Sequence, residues 1–325
     1  MIKLNVQDCK IWNLDNTIIE IIKVATTTND KIIIDLMSEG PCLRSSDFYN
    51  ILDNICQNFN IDKNRFVIQT PNIEEYHDEY NIKIQNNIWP NIFEKLQNYS
   101  PTKTSITYTV GCFIGRTSWE RIILSAWLDK FYSKQTLLAC HHNNKNKNQI
   151  DGLQLSTIMH LCPDDMHTVI DFLKTCPRKM STEDKDYKKL DNHTQNNFKD
   201  IELHESYPLI FSELVCETFF SGLTFFPTEK TFRPIWQMTP TITFGPRNFL
   251  SNMQSSGFKT FDDYWDESYD GLQDYERIQA IQVILKKLFL LTKLELEEMY
   301  ADMLPILRHN KNRLHEIATG FKIDK

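Results

Sequence analysis

The chain has 325 residues, 41% of them hydrophobic and 24% charged, which is ordinary for a globular protein and long enough for two domains that each bury a core. A net charge of −7 argues against sequence-independent binding to nucleic acid, which relies on Lys and Arg neutralising phosphates. The eight cysteines are scattered without a C-x-x-C pair, a pattern that fits buried reduced thiols better than a zinc site or a disulfide framework. No run approaches the roughly 18 apolar residues of a membrane span, and residues 1–8 (MIKLNVQD) lack the core of a signal peptide, so the expected setting is cytoplasmic with no integral membrane segment.

From the N-terminus, Ile18 to Ala25 is an apolar run, and Lys31 to Leu36 (KIIIDL) reads as a buried strand. A turn follows at Met37 to Pro41. Glu39 in that turn would stand at the carboxyl end of a strand, where an open sheet places a catalytic base, although a surface glutamate in a tight turn looks the same. Ser46-Asp47 caps a predicted helix through about Asn58, with Phe48, Leu52, Ile55 and Phe59 at helical spacing, and Arg65 to Thr70 is the next strand. Strand, helix and strand in this order predict a parallel α/β layer. A helix is expected over residues 86–98, and the Ser100-Pro101-Thr102 break puts a domain boundary at 104/105.

The second domain is expected over 105–275. Ile106 to Ile114 reads as a strand, then a Gly115-Arg116-Thr117-Ser118 turn leads into a helix from Trp119 to Phe131, with Ile122, Ile123, Ala126 and Leu128 inward. Arg116 and Arg121 flank that helix start, where an anion is favoured; a solvated helix arginine is the plainer reading. His141-His142 lies in a polar loop, and neighbours on an extended chain point opposite ways, so no metal is expected there. Residues 151–197 hold two short helical patterns, one of them from His167 to Leu173, and a polar insertion near 181–197.

Phe211 to Met253 is the most ordered stretch. Leu214 to Cys216 is a strand, Glu217 stands at its carboxyl end, and Thr228 is placed to cap a helix that begins Glu229-Lys230. Lys230 and Arg233, three apart, would share a face and meet a diphosphate, while Glu229 could accept both hydroxyls of a ribose. An ordinary Lys/Glu-decorated helix fits the same local pattern. Thr239 to Phe244 is the next strand, ended by Gly245-Pro246. Further on, Phe249 to Gln254 reads as a helix. Asp262 to Asp270 interleaves acids with Tyr and Trp, which favours a packed loop over a metal-binding D-x-D. A helical stripe runs from Glu276 to Met303, limited by Pro305, and a last helix covers Ile306 to Ile317; residues 276–325 are expected to pack back across the domains.

Glu217, then Thr228, Glu229, Lys230 and Arg233, then Gly245-Pro246, resembles the donor-binding motif of the alpha-1,3-fucosyltransferase family in order and spacing. Thr218 stands where the family usually has Asn, and Pro234 where Asn commonly follows the Arg. The segment from Val110 to Phe131 also resembles the start of the family's donor domain, and Glu39-Gly40-Pro41 its acidic acceptor-side turn. The resemblance implies two Rossmann-like α/β domains facing a cleft, the glycosyltransferase-B type. It implies an inverting, metal-independent transfer of a sugar, fucose from GDP-fucose, to a carbohydrate hydroxyl, with a nucleotide-sugar donor as co-substrate and no other cofactor. Glu39 would be the base, and Arg116 or Arg121 would join Lys230 on the diphosphate. A non-catalytic carbohydrate- or nucleotide-binding protein on the same fold, or a transferase using another nucleotide-sugar, is the alternative.

Overall fold

The computed structural model describes residues 2–5, 14–36, 42–44, 47–84, 106–140, 150–178, 203 and 206–319. The chain divides into two compact units, one of residues 1–89 with 221–226, the other of residues 90–220 with 227–325. Each is an α/β unit with one four-stranded, wholly parallel sheet. The boundary expected at 104/105, the helix at 86–98, the turn bearing Glu39, the His141-His142 loop and the 181–197 insertion lie outside the described residues.

In the first unit the strands β1 (Ile2–Asn5), β2 (Ile32–Asp35), β3 (Phe66–Thr70) and β4 (Asn81–Ile84) lie side by side in chain order. Ile32 and Ile34 of β2 and Phe66 and Ile68 of β3 are fully buried, and α1 (Leu14–Thr27) adds Ile21 and Ala25 to the same core. The helix α2 (Phe48–Asn58) buries Phe48, Leu52 and Ile55, as its spacing predicts. Phe59 does not join them: the helix ends at Asn58, Asn60 takes a positive φ of 51°, and the Phe59 ring is left exposed. Arg65 fastens the turn between α1 and β2 by donating to the carbonyls of Ala25, Thr28 and Asp30. Beyond β3, the buried carboxyl of Glu75 accepts from Leu43 N, Tyr49 Oη and Asn72 Nδ2, and burial raises its pKa. Asn72 Oδ1 in turn accepts from Phe225 N at 3.0 Å, which holds the 221–226 segment in this unit.

The second unit is built on β5 (Tyr108–Ile114), β6 (Thr136–Cys140), β7 (Ile210–Cys216) and β8 (Thr241–Phe244), in the order β6-β5-β7-β8. The strand order reverses at β5, so the chain leaves β5 and β7 in opposite directions, and the carboxyl ends of these two strands are where open sheets of this kind take ligands. The first sheet has no such reversal among its described strands. Helix α3 (Trp119–Tyr132) is buried from Glu120 through Leu128, because α4 (Gly152–Leu161), α5 (Met166–Thr175) and a C-terminal helix cover the side turned from the sheet. Then come α6 (Glu229–Trp236) and α7 (Phe249–Ser255).

Two helices close the chain, α8 (Asp274–Phe289) and α9 (Lys293–Ala318), and both contribute to the second unit's core through Ile278, Ile281, Leu285, Met303 and Leu307. The break falls at Leu290 to Thr292 instead of at Pro305. Thr292 and Glu295 form a capping box that starts a new helix, satisfying two backbone donors reciprocally. Pro305 lies inside α9, where it forfeits one helical hydrogen bond that the buried anchors Leu296, Met303, Leu307 and Leu314 outweigh.

Candidate functional site at the carboxyl ends of β5 and β7

All seven residues of β7 are buried, and the next residue, Glu217, is 2% exposed. A carboxylate so placed must be compensated. Glu217 Oε1 accepts from Thr228 N at 3.0 Å and Thr231 Oγ1 at 2.5 Å; Oε2 accepts from Thr228 Oγ1 at 2.8 Å and Thr218 N at 3.1 Å. The negative charge therefore sits against the first turn of α6, whose free N–H groups and dipole favour an anion. Glu217 fills the position at which the sequence reading put a ligand.

Thr228 is the N-cap of α6, as its type and position predict, and its hydroxyl accepts from Lys230 N at 3.3 Å. Lys230 Nζ lies back over the base of the same loop, 3.0 Å from Thr228 Oγ1, 3.2 Å from Thr218 Oγ1 and 3.1 Å from Glu229 Oε1. Its side chain is still 23% exposed, so the ammonium borders solvent. Burial pulls the Glu229 carboxyl upward, but the Lys230 ammonium and its hydrogen bond, with Arg233 behind them, hold it down at about 2. Lys230, Glu229, Thr218 and Thr228 thus form one polar cluster, braced from below by Glu217.

Arg233 is not part of it. Although three residues from Lys230, it runs into the interior, where Nε donates to Tyr207 Oη at 2.6 Å and Nη2 to Glu213 Oε1 at 3.3 Å. Tyr207 Oη in turn donates to Glu213 Oε2 at 2.5 Å. Burial raises the Glu213 pKa, and Tyr207 and Glu213 keep the Arg233 guanidinium charged despite its own burial. The cause is Glu213 itself, a carboxylate inside a fully buried strand that needs a cation within reach. In the sequence, a glutamate inside the apolar run IFSELVC is the signal for such a pair.

Arg121 is likewise buried and used internally. Its Nη1 donates to the Arg116 carbonyl at 2.8 Å, and its Nη2 to the carbonyls of Glu217 and, at 3.4 Å, Cys216. It ties the loop after β5 to the end of β7 across the point where the strand order reverses, while its Nε has no hydrogen-bond partner among the described residues. Arg116 is the exposed arginine of that loop. Gly245 ends β8, and its carbonyl accepts from Arg277, which also donates to the Phe220 carbonyl at 2.9 Å and lies over the Phe220 ring. Arg277 was not singled out by sequence; on α8 it looks like any helix arginine, and only the fold brings it to the ends of β7 and β8.

The acidic-aromatic loop is packed, with Trp265 and Tyr269 buried. Its acids serve the backbone: Asp270 accepts from Leu250 N and Ser251 N at the start of α7, Glu267 from Phe261 N, and Asp266 from Ser268 N. Glu267 also borders a narrow cavity of about 30 Å³ between β8, α6, α7 and α9, with Thr231, Thr243, Thr260 and Asn310 among its polar walls. That is room for no more than a few water molecules. Among the described residues no group of three His, Cys, Asp or Glu side chains is placed to hold a metal ion. No described helix is long and apolar enough to cross a membrane.

No family model, curated protein or solved structure matches this chain.

Proposed function

We propose that the second unit binds a nucleotide-sugar and that the protein is an inverting, metal-independent glycosyltransferase. The observation that carries this reading is the Lys230 ammonium, held by Thr218 and Thr228 on the loop after β7, next to the point where the strand order reverses, with the exposed Arg116 on the neighbouring β5–α3 loop. As the bond from the anomeric carbon to the diphosphate breaks, negative charge grows on the departing oxygen, and a fixed cation there lowers the barrier. Glu229, charged at neutral pH, has the acceptor oxygens for a ribose diol. The acceptor hydroxyl attacks from the opposite face and gives up its proton to a base, the role that the sequence resemblance implies for Glu39. Fucose from GDP-fucose is the donor that the sequence resemblance implies, and a carbohydrate hydroxyl the acceptor.

A second reading is a nucleotide- or carbohydrate-binding protein without turnover. It is favoured by the internal use of Arg121 and Arg233, which leaves fewer cations for a leaving group than the motif suggests. A panel of GDP-, UDP- and ADP-sugars separates the two. Transfer is expected from one of them, lost in Glu39→Gln and Lys230→Ala. A stabilising shift on ligand addition without turnover in the wild type would support the binding protein.

A further inference from the structure

The Lys230 ammonium is already fully engaged. An ammonium has three N–H donors, and Lys230 Nζ has three acceptors around it: Thr228 Oγ1 at 3.0 Å, Glu229 Oε1 at 3.1 Å and Thr218 Oγ1 at 3.2 Å. The pair is within reach of a ligand all the same, since the side chains of Lys230 and Glu229 are each 23% exposed. A phosphate that approaches meets a cation in use and can bond it only by displacing one of the three acceptors.

The three are not held alike. Thr228 Oγ1 donates to Glu217 Oε2 at 2.8 Å and accepts the Lys230 backbone N–H at 3.3 Å, so it is fixed as the cap of α6. Thr218 is pinned through its own backbone N–H, which donates to Glu217 Oε2 at 3.1 Å. Glu229, the first residue of α6, is bonded among the described residues to Lys230 and to its own backbone N–H alone. Glu229 is thus the acceptor that a phosphate replaces: one anion takes the place of another on the ammonium, and the cap stays intact.

The displaced carboxylate is then a negative charge beside the incoming phosphates, and it opposes them unless it gains hydrogen-bond donors of its own. A ribose diol on the same ligand supplies two. Resting on the nucleotide-sugar reading above, we propose that the Lys230–Glu229 pair is a gate that opens to a ligand carrying both a diphosphate and a ribose diol: the phosphate takes Lys230 from Glu229, and the freed carboxylate takes the diol. The pair selects ribonucleoside diphosphates and their sugar esters against free pyrophosphate and against deoxyribonucleotides.

Titration calorimetry of the full chain with inorganic pyrophosphate, and with GDP, UDP and ADP beside their 2′-deoxy counterparts, tests this in the wild type and in Glu229→Gln, which keeps the shape of the side chain and removes its charge. In the wild type the ribonucleotide that binds best is expected to exceed its 2′-deoxy counterpart by about tenfold, the order of one charge-assisted hydrogen bond. In Glu229→Gln pyrophosphate should bind about tenfold more tightly than in the wild type, because Lys230 is released and no carboxylate opposes the phosphates, and the ribose preference should shrink towards one. An ordinary helix-surface ion pair, worth little, would leave pyrophosphate affinity unchanged, and that result overturns the gate while nucleotide binding stands. Equal wild-type affinity for the ribo and deoxy forms overturns it without recourse to the variant. Failure of every diphosphate to bind either protein removes the nucleotide-sugar reading, and the gate with it.

Discussion

The carboxylate of Glu217 accepts both the backbone N–H and the hydroxyl of Thr228, eleven residues on, at 3.0 and 2.8 Å. One side chain thereby joins the end of β7 to the cap of α6 and closes the base of the loop between them. Because it accepts two further bonds, from Thr218 N and Thr231 Oγ1, its removal strands four donors. Glu217→Ala is expected to cost about 2–4 kcal/mol in urea denaturation, the range for leaving several buried donors unpaired. Glu217→Gln should cost less, since its carbonyl still accepts and the Thr228 hydroxyl can rotate to receive the amide. Equal stability of Glu217→Ala and wild type would mean that the clasp does not hold the loop.

Lys230 is the cation of the cluster that reaches solvent, so its removal separates binding from folding. Lys230→Ala is expected to weaken nucleotide-sugar affinity by about tenfold or more, the worth of one charge-assisted hydrogen bond to phosphate, with less than about 1 kcal/mol lost from the unliganded protein. Ligand-induced shifts in melting temperature for wild type and variant give both quantities. An unchanged affinity would remove Lys230 from the donor site.

The elements around this cluster were readable because each is locally determined. KIIIDL made β2, and the Thr228 cap with Glu229-Lys230 made the start of α6, both from short-range preferences. The strands β1 and β4 were missed: Ile2-Lys3-Leu4-Asn5 and Asn81-Ile82-Lys83-Ile84 alternate, but over only four residues each, too short a run to stand out, and each exists because a neighbouring strand supplies its hydrogen bonds. What three of the arginines do was hidden for a different reason. Arg121 meets carbonyls 95 and 96 residues away, Arg277 a carbonyl 57 residues earlier, and Arg233 a carboxylate 20 residues back in a strand. Spacing along one helix carries no information about such partners. Lys230 and Arg233, expected on one face, diverge because Glu213 draws the second inward.

Arg233 therefore belongs to stability more than to binding. Arg233→Met leaves Glu213 buried without its cation, for an expected loss of about 3–5 kcal/mol. The double variant Arg233→Met/Glu213→Leu should recover a large part of that loss, because neither charge then needs compensation. Denaturation midpoints of the two variants decide the matter. A double variant no better than Arg233→Met would show that the pair's packing, not its charge balance, supports the strand.

Glu267 gives the second unit a pH dependence of definite sign. Burial, reinforced by Asp262 and Asp270 against the pull of its hydrogen bonds, raises its carboxyl from 4.5 to about 7. Between those values the folded state holds a proton that the unfolded state has released, so stability falls as pH rises. The contribution is fully present below about 4.5 and is lost as pH passes through about 7, amounting to at most ~3 kcal/mol. Other raised carboxyls, Glu213 and Asp270 among them, titrate in the same direction, so the wild-type profile alone does not isolate this one. Glu267→Gln does, because it keeps an oxygen to accept from Phe261 N but cannot ionise. Relative to wild type, the variant should gain stability from pH 5 to about pH 7 and level off above it in urea titrations; parallel profiles would mean that the Glu267 carboxyl is ionised in the folded protein throughout.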